Sequence, residues 1–398
     1  PDPKDLYEDM HTYLREAGVD GVKVDAQAGI ALVSGAKGGG PALAALWHAR
    51  LEASVKQHFP GNHVINCMCH STENIYRFES SAVARASDDF YPRDLASSSP
   101  HISSCAYNSL FMGALVQPDW DMFHSRHPAA ELHGIARAVS GGPVYVSDKP
   151  GQHDAALLKR LVLPCGGLLR ALLPGRPTRD CIFTDPLRDS TSLLKVWNVN
   201  RCNGVVAVFH LQGSSWDRDQ RKFVQHDVDP DQLSTEVSPC DVESLWAEDP
   251  EQEFALFRHT TKQLEVCGWR ESVPITLEQG KAEVVTVVPT QGIRSEHGGR
   301  CAWAPIGLEE MYNGGGAVLE SSAKIIPRGD GEGTRRLFEV CLRGAGRFIA
   351  LCGEEPRACQ VSGNDVPFTY DQKESKLSIE VLPLDADSEQ LSEVTVEV

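Results

Sequence analysis

From residue 5 to about residue 180, short apolar runs alternate with stretches whose apolar positions recur at helical spacing. Helical periods are expected over 5–17, 42–58, 102–115 and 128–140, and strands over 20–25, 63–69, 83–87, 116–122 and 142–147. The first helix should stop at Gly18, and a Pro-Gly turn at 60–61 leads from the second helix into a strand. Strands alternating with helices predict a parallel α/β arrangement. Each expected strand also ends in polar or ionisable residues: Asp25, Cys69-His70, Asp88-Asp89, Asp121 and Asp148. A TIM (β/α)8 barrel collects its chemistry at the C-terminal ends of its strands, so this recurrence favours a barrel over a doubly wound sheet. The sequence is then expected to begin inside the barrel, at about the fourth strand.

Beyond about residue 190 the texture changes to strand after strand, as at 193–199, 205–211, 282–288, 338–342 and 348–352. The expected fold class is therefore α/β: the C-terminal part of a TIM barrel over 1–185, followed by an antiparallel β-sandwich domain over 186–398. The stretch 223–253 holds ten Asp or Glu and no Lys or Arg, and is expected as a solvated loop.

Charge narrows the partners. A formal net charge of −17 leaves no basic surface to neutralise phosphates, so nucleic acid is not an expected partner. No apolar run reaches the roughly 18 residues that span a bilayer, and no membrane partner is expected. The twelve cysteines include no C-x-x-C pair, and several sit in apolar runs as small hydrophobes. Reduced thiols in a cytosolic setting are expected, with the plastid as the second compartment.

Two acidic strand ends carry the candidate chemistry. In Lys23-Val24-Asp25 a period of two places Lys23 and Asp25 on one face and Val22 and Val24 on the other. Charged groups facing a barrel interior are costly unless used; the competing reading is an ordinary ion pair at a strand end. In Arg85-Ala-Ser-Asp-Asp89 the same alternation aligns Arg85, Ser87 and Asp89, and one carboxylate beside another has the environment that raises a pKa for general-acid work. A helix N-cap with a spare acid is the rival. Retaining glycoside chemistry needs two carboxylates roughly 5 to 5.5 Å apart, which two strand ends of one barrel can supply. Gln117-Pro-Asp-Trp-Asp121 and Ser147-Asp-Lys149 add Trp120, Asp121 and Asp148, an aromatic face and carboxylates suited to sugar hydroxyls, although a single Trp is more often core. Cys67 and Cys69 share a face, which suits lining a site or packing. The Gly-rich run Gly35-Ala-Lys-Gly-Gly-Gly40 lacks phosphate-loop spacing and reads as a flexible loop, and Arg328-Gly-Asp330 reads as a turn. His124, His127 and His133 do not have metal-motif spacing, so no metal is assigned.

Together Asp20-Gly-Val-Lys-Val-Asp25, Arg85-Ala-Ser-Asp-Asp-Phe-Tyr-Pro92, Gln117-Pro-Asp-Trp-Asp-Met-Phe-His-Ser125 and Tyr145-Val-Ser-Asp-Lys-Pro-Gly151 resemble the plant raffinose synthase group. That group includes the seed imbibition proteins and alkaline α-galactosidases of glycoside hydrolase family 36. The resemblance runs on through Leu194-Lys-Val-Trp-Asn-Val-Asn200 and Phe209-His-Leu-Gln-Gly213 and fades over the last hundred or so residues. It implies a TIM barrel with a C-terminal β domain, Asp25 as nucleophile in the K-x-D strand end, and Asp89 as acid/base in R-x-x-x-D, with Asp88 as the alternative. Lys23, Cys67, Arg85, Trp120, Asp121 and Asp148 are the expected substrate-binding residues. By the same resemblance the reaction is double displacement on an α-galactosyl group without a cofactor, moving galactose from galactinol to sucrose to give raffinose. Hydrolysis of raffinose-type sugars is the first alternative, because Pro174-Gly-Arg-Pro-Thr-Arg-Asp180 is similar to the seed imbibition and alkaline galactosidase branch. A non-catalytic carbohydrate-binding protein is the second.

Overall fold

Four of the expected strands pair in sequence order as one parallel sheet: β1 (Val22–Val24), β2 (Val64–Asn66), β3 (Val83–Arg85) and β4 (Gln117–Asp119). Each is only three residues long. The computed structural model describes residues 2–35, 38–229, 231–245, 249, 251–294, 300–327, 334–383 and 390–398. Arg328-Gly-Asp330 and, within the Gly-rich run, Ala36 and Lys37 lie outside the described residues.

The chain divides into two compact units, 1–88 with 108–121, and 89–107 with 122–398. In the first, α1 (Lys4–Glu16) and α2 (Gly40–His58) pack on one face of the parallel sheet. Gly18, at φ 86°, ends α1 where a side chain would be strained, and Pro41 starts α2 where its missing N–H costs nothing. Tyr7, Leu51, Val55, Phe59 and Val64 form the core between these elements, with Val22 and Val24 against it. Gly21 admits β2 alongside: a Cβ there would lie 2.7 Å from that of His63, whose carbonyl accepts the Val22 N–H at 3.0 Å. A short helix, α3 (Thr72–Ile75), follows β2. Helix α4 (Ser98–Met112) crosses the division between the units.

In the second unit, α5 (Ala130–Ser140) precedes the β-rich part. The expected strand at 142–147 is reduced to one parallel bridge, Phe123 with Val146. The antiparallel elements begin with β5 (Arg176–Pro177), β6 (Leu194–Val199), β7 (Gly204–Phe209), β8 (Ser214–Asp217), β9 (Lys222–Gln225) and β10 (Gln232–Val237). They continue with β11 (Glu253–Arg258), β12 (Leu264–Gly268), β13 (Val273–Glu278) and β14 (Ala282–Pro289). One six-stranded sheet has the order β12-β11-β14-β7-β6-β5, β8 and β9 form a hairpin, and two five-stranded antiparallel sheets follow among the described residues beyond 290. Trp303 stacks on Phe338 at 4.6 Å in the core of these last sheets.

The acidic stretch 223–253 is not the solvated loop expected. It contains β10, paired antiparallel to β13, with Leu233 and Val237 turned into the core and Gln232 and Ser234 exposed. Asp241 in the same stretch accepts from the buried Lys195 ammonium at 2.9 Å. Over 232–237 the residues alternate between core and solvent at period two, and that alternation outweighs the charge.

Candidate active site

Strand register assembles the first cluster. Lys23 pairs with Ile65, Asn66 with Ala84, and Arg85 with Asp119. Because neighbouring side chains alternate, Lys23, Arg85 and Asp119 share the sheet face opposite α1 and α2, and Asp25 and Cys67 continue that face past the strand ends. On the other face Asn66 accepts from Gln27 at 2.9 Å and donates to Ser81 at 3.0 Å, a polar seam that fixes the ends of β1 and β2.

Asp25 is the accessible acid of this group. Its side chain is 51% exposed; Oδ1 accepts the Ala26 N–H at 2.8 Å and Oδ2 accepts from Lys23 Nζ at 3.1 Å. The Ala26 hydrogen bond, with Lys23 behind it, holds the Asp25 carboxyl below the usual range against a smaller effect of burial. For Lys23, burial works to lower the ammonium, and the Asp25 hydrogen bond together with Cys67 outweighs it, so its pKa is raised. The result is an ionised carboxylate beside a protonated amine. Burial pushes the Cys67 thiol upward, against the pull of Arg85 and Lys23. Three residues without a glycine's freedom take positive φ at these strand ends: Ala26 at 59°, Met68 at 45° and Asp121 at 67°. Such backbone costs on the order of 1–3 kcal/mol each and is concentrated at functional sites. A cavity of about 130 Å³ touches Asp25 from the helix side, lined also by Tyr7, Val24, Trp47 and Leu51; it is smaller than a ligand pocket takes.

Arg85, Asp121 and Trp120 do not present themselves as substrate-binding groups. Arg85 is 2% exposed, its Nε lies 3.3 Å from Asp119 and its Nη2 2.5 Å from Asp121, and both acids are buried. The guanidinium therefore braces β3 against β4 and the turn that follows. Trp120 is fully buried and donates its indole N–H to Ser109 at 3.3 Å, so it is core and not a face for a pyranose. Asp119, absent from the expected set, is the central acceptor; its place on the Arg85 face follows from the parity it shares with Gln117.

The Asp88-Asp89 pair lies beyond the end of β3. The strand stops at Arg85, and Ser87 Oγ donates to the Asp88 carbonyl at 2.8 Å, so the alternation expected to align Arg85, Ser87 and Asp89 does not reach that far. Both acids are exposed. The entry to β3 is fixed by Glu52 of α2, which accepts the N–H groups of Glu79, Ser80 and Ser81 and both serine hydroxyls.

In the second unit Asp148 accepts from the Ser125 N–H at 2.8 Å, the Ser125 hydroxyl at 2.6 Å and His153 Nδ1 at 3.1 Å. Burial works to raise this carboxyl, and the Ser125 and His153 bonds outweigh it and lower it. Asp148 is thus occupied in joining two loops. His124, His127 and His133 present ring edges around Phe90 at 5.6, 5.2 and 4.8 Å, and His133 Nδ1 lies 2.7 Å from Arg137 Nη1.

An ionised, accessible carboxylate paired with lysine at the C-terminal end of a parallel strand is equipped for nucleophilic group transfer. The profile of the family described as raffinose synthase or seed imbibition protein Sip1 matches residues 2–381. The chain belongs to that family. It is 42% identical over 398 residues to a probable galactinol–sucrose galactosyltransferase 6 of Arabidopsis thaliana, covering 99% of this chain and 52% of the relative. It is 45% identical to a probable galactinol–sucrose galactosyltransferase 1 of the same plant, covering 92% and 48%, and 41% identical to a galactinol–sucrose galactosyltransferase of Oryza sativa subsp. japonica, covering 92% and 47%. The chain spans about half the length of these curated relatives. A solved α-galactosidase of Saccharomyces cerevisiae with raffinose superposes with a TM-score of 0.46 over 70% of this chain and 74% of its own, at 8% identity, a likeness on which nothing below rests.

Proposed function

We propose that this chain is part of a retaining α-galactosyltransferase that moves galactose from galactinol to sucrose, forming raffinose. The observation that carries the reading is the Lys23-Asp25 pair: an ionised carboxylate, half exposed, fixed by a backbone N–H. The relatives' names supply the substrates. Asp25 attacks the anomeric carbon of the galactosyl donor while Asp89, with Asp88 as the alternative, protonates the leaving oxygen. A sucrose hydroxyl then gives its proton to the same acid/base residue and displaces Asp25, which restores both carboxyls. The sheet is read as consecutive strands of a TIM barrel, supported by the order β1-β2-β3-β4 and by helices between the strands. The twelve cysteines, none joined in a disulfide among the described residues, support a reducing compartment, the cytosol first and the plastid second.

The test is incubation of the full-length protein with galactinol and sucrose, with raffinose and free galactose separated. Raffinose as main product, lost in Asp25→Asn, is expected. Free galactose alone would move the reading to a hydrolase, and no turnover with saccharide binding intact would move it to a non-catalytic protein.

A further inference from the structure

The hairpin of β8 and β9 presents a surface that the proposed chemistry has not yet used. Trp216 stands directly opposite Phe223 in the register, and Ser214 opposite Gln225, so these four side chains share one hairpin face. Trp216 is 50% exposed. Its ring centroid lies 5.1 Å from that of Phe223 with the planes 73° apart, so Phe223 fixes the indole without stacking over it. A lone exposed Trp means little by itself. On the same hairpin face Gln225 begins a pocket of about 450 Å³, lined further by His226, Asp227, Val228, Asp231 and Gln279.

The lining states what kind of ligand fits. Two amides, two carboxylates and an imidazole offer many acceptors and several donors, and no Lys or Arg is among them, which disfavours an anion. Among the described residues no group of His, Cys, Asp or Glu converges to hold a metal ion. Asp227, Asp231 and His226 make no side-chain hydrogen bond among the described residues, so their capacity is open to a ligand. An aromatic face beside acceptors that suit hydroxyl donors, in a volume within the ordinary range for small-molecule sites, is the chemistry of a neutral polyhydroxylated ring.

We propose that Trp216 and the pocket that begins at Gln225 bind the acceptor saccharide, an uncharged disaccharide or oligosaccharide, with its ring on the indole and its hydroxyls on Gln225 and Asp227. The acceptor assignment rests on the galactosyl-transfer reading. In a retaining transfer the acceptor occupies the place vacated by the leaving group, next to the acid/base carboxylate. The hairpin packs on the short turn Leu95–Ser97, which follows Asp89 in the same compact unit.

The experiment is calorimetric titration of sucrose and of raffinose into the full-length protein carrying Asp25→Asn, so that binding is read without turnover. Adding Trp216→Ala should weaken sucrose binding about tenfold, and Trp216→Phe, which keeps an aromatic face, by less than about threefold. Equal affinity with and without Trp216→Ala overturns the site, as does the absence of sucrose binding in the parent. If Trp216→Ala does not fold, Gln225→Ala with Asp227→Asn carries the same test, with a loss of about tenfold expected and unchanged affinity overturning the site. Trp216-dependent binding in a protein whose wild type transfers no galactose would sink the proposed function and leave the saccharide site standing.

Discussion

Replacing Arg85 by Met removes the cation from a buried cluster of three charges while keeping most of the side chain's volume. The Arg85 and Asp121 side chains are 3% and 2% exposed and that of Asp119 not at all, so water cannot take over the lost partner. Breaking a buried pair in this way costs about 3–5 kcal/mol, because a carboxylate is left in a low-dielectric site. Asp119 and Asp121 both lose the same cation, and the expectation lies within that range. Arg85→Lys should be milder: the ammonium keeps the charge but cannot span Asp119 and Asp121 as Nε and Nη2 do, and the loss of one charged hydrogen bond corresponds to about 1.5–3 kcal/mol. Combining Arg85→Met with Asp119→Asn and Asp121→Asn removes the charges together and should restore most of the stability. Urea unfolding of the full-length protein, followed through tryptophan emission, reads all three. A cost below about 1 kcal/mol for Arg85→Met would refute the view that this guanidinium holds β3 to the turn after β4.

Asp25→Asn should lower galactosyl transfer by a factor on the order of 10⁴ with stability changed by less than about 1 kcal/mol, since the carboxylate is half exposed; activity within tenfold of wild type would end the nucleophile assignment. Lys23→Met tests how much that carboxylate depends on its partner. The pair is screened by solvent and worth less than about 1 kcal/mol, and the Ala26 N–H remains, so the acid limb of the pH–rate profile should move only slightly upward. A large displacement would give Lys23 the leading part. Glu52 offers a cleaner titration: burial works to raise it, but His48, Ser81 and Ser80 outweigh that and take it from 4.5 down to about 2. A depressed folded-state pKa gives stability that is present above the unfolded value and lost as pH falls through the folded one, so Glu52→Gln should cost up to about 3 kcal/mol above pH 5 or so, with the gap closing toward pH 2. A gap that stays constant to pH 2 would show that the carboxylate's charge is not what holds residues 79–81.

The alternating apolar runs located β1 to β4 because short runs carrying Val22 and Val24, Val64, Val83 and Val116, separated by helical periods, survive as a pattern even in strands of three residues. They could not show where those strands stop. At β3 the apolar run passes without a break into Ala86-Ser87-Asp88-Asp89, and only the turn geometry, with Ser87 folding onto the Asp88 carbonyl, separates Asp89 from the face of Arg85. Trp120 illustrates a different gap: its place in the sequence beside two acids suits a sugar platform equally well, and burial against Ser109 is decided by packing of distant segments. The strand at 232–237 was legible in principle, since Leu233, Thr235 and Val237 alternate with polar residues, but the surrounding acids obscured it. Asp119 was legible too, once Arg85 is placed opposite it.

Exposure divides the labour among the acids on the sheet face opposite α1 and α2. A nucleophile has to reach an anomeric carbon, so it cannot be fully enclosed, and it has to be ionised, so it needs a stabilising donor in place of bulk water. Asp119 and Asp121 meet the second condition through Arg85 and fail the first, at 0% and 1% exposure. Asp25 meets both, because Ala26 takes a left-handed conformation that turns its N–H back onto the carboxylate while the side chain stays open. On the proposed reading the buried ion cluster acts through the backbone: by fixing β3 against β4 it sets where the chain leaves β3 toward Asp88 and Asp89. Damage to Arg85 should for that reason appear in the proton-transfer step, as a loss that is larger for substrates with poor leaving groups than for activated aryl galactosides. A loss equal for both substrate classes would place the effect of Arg85 on Asp25 instead.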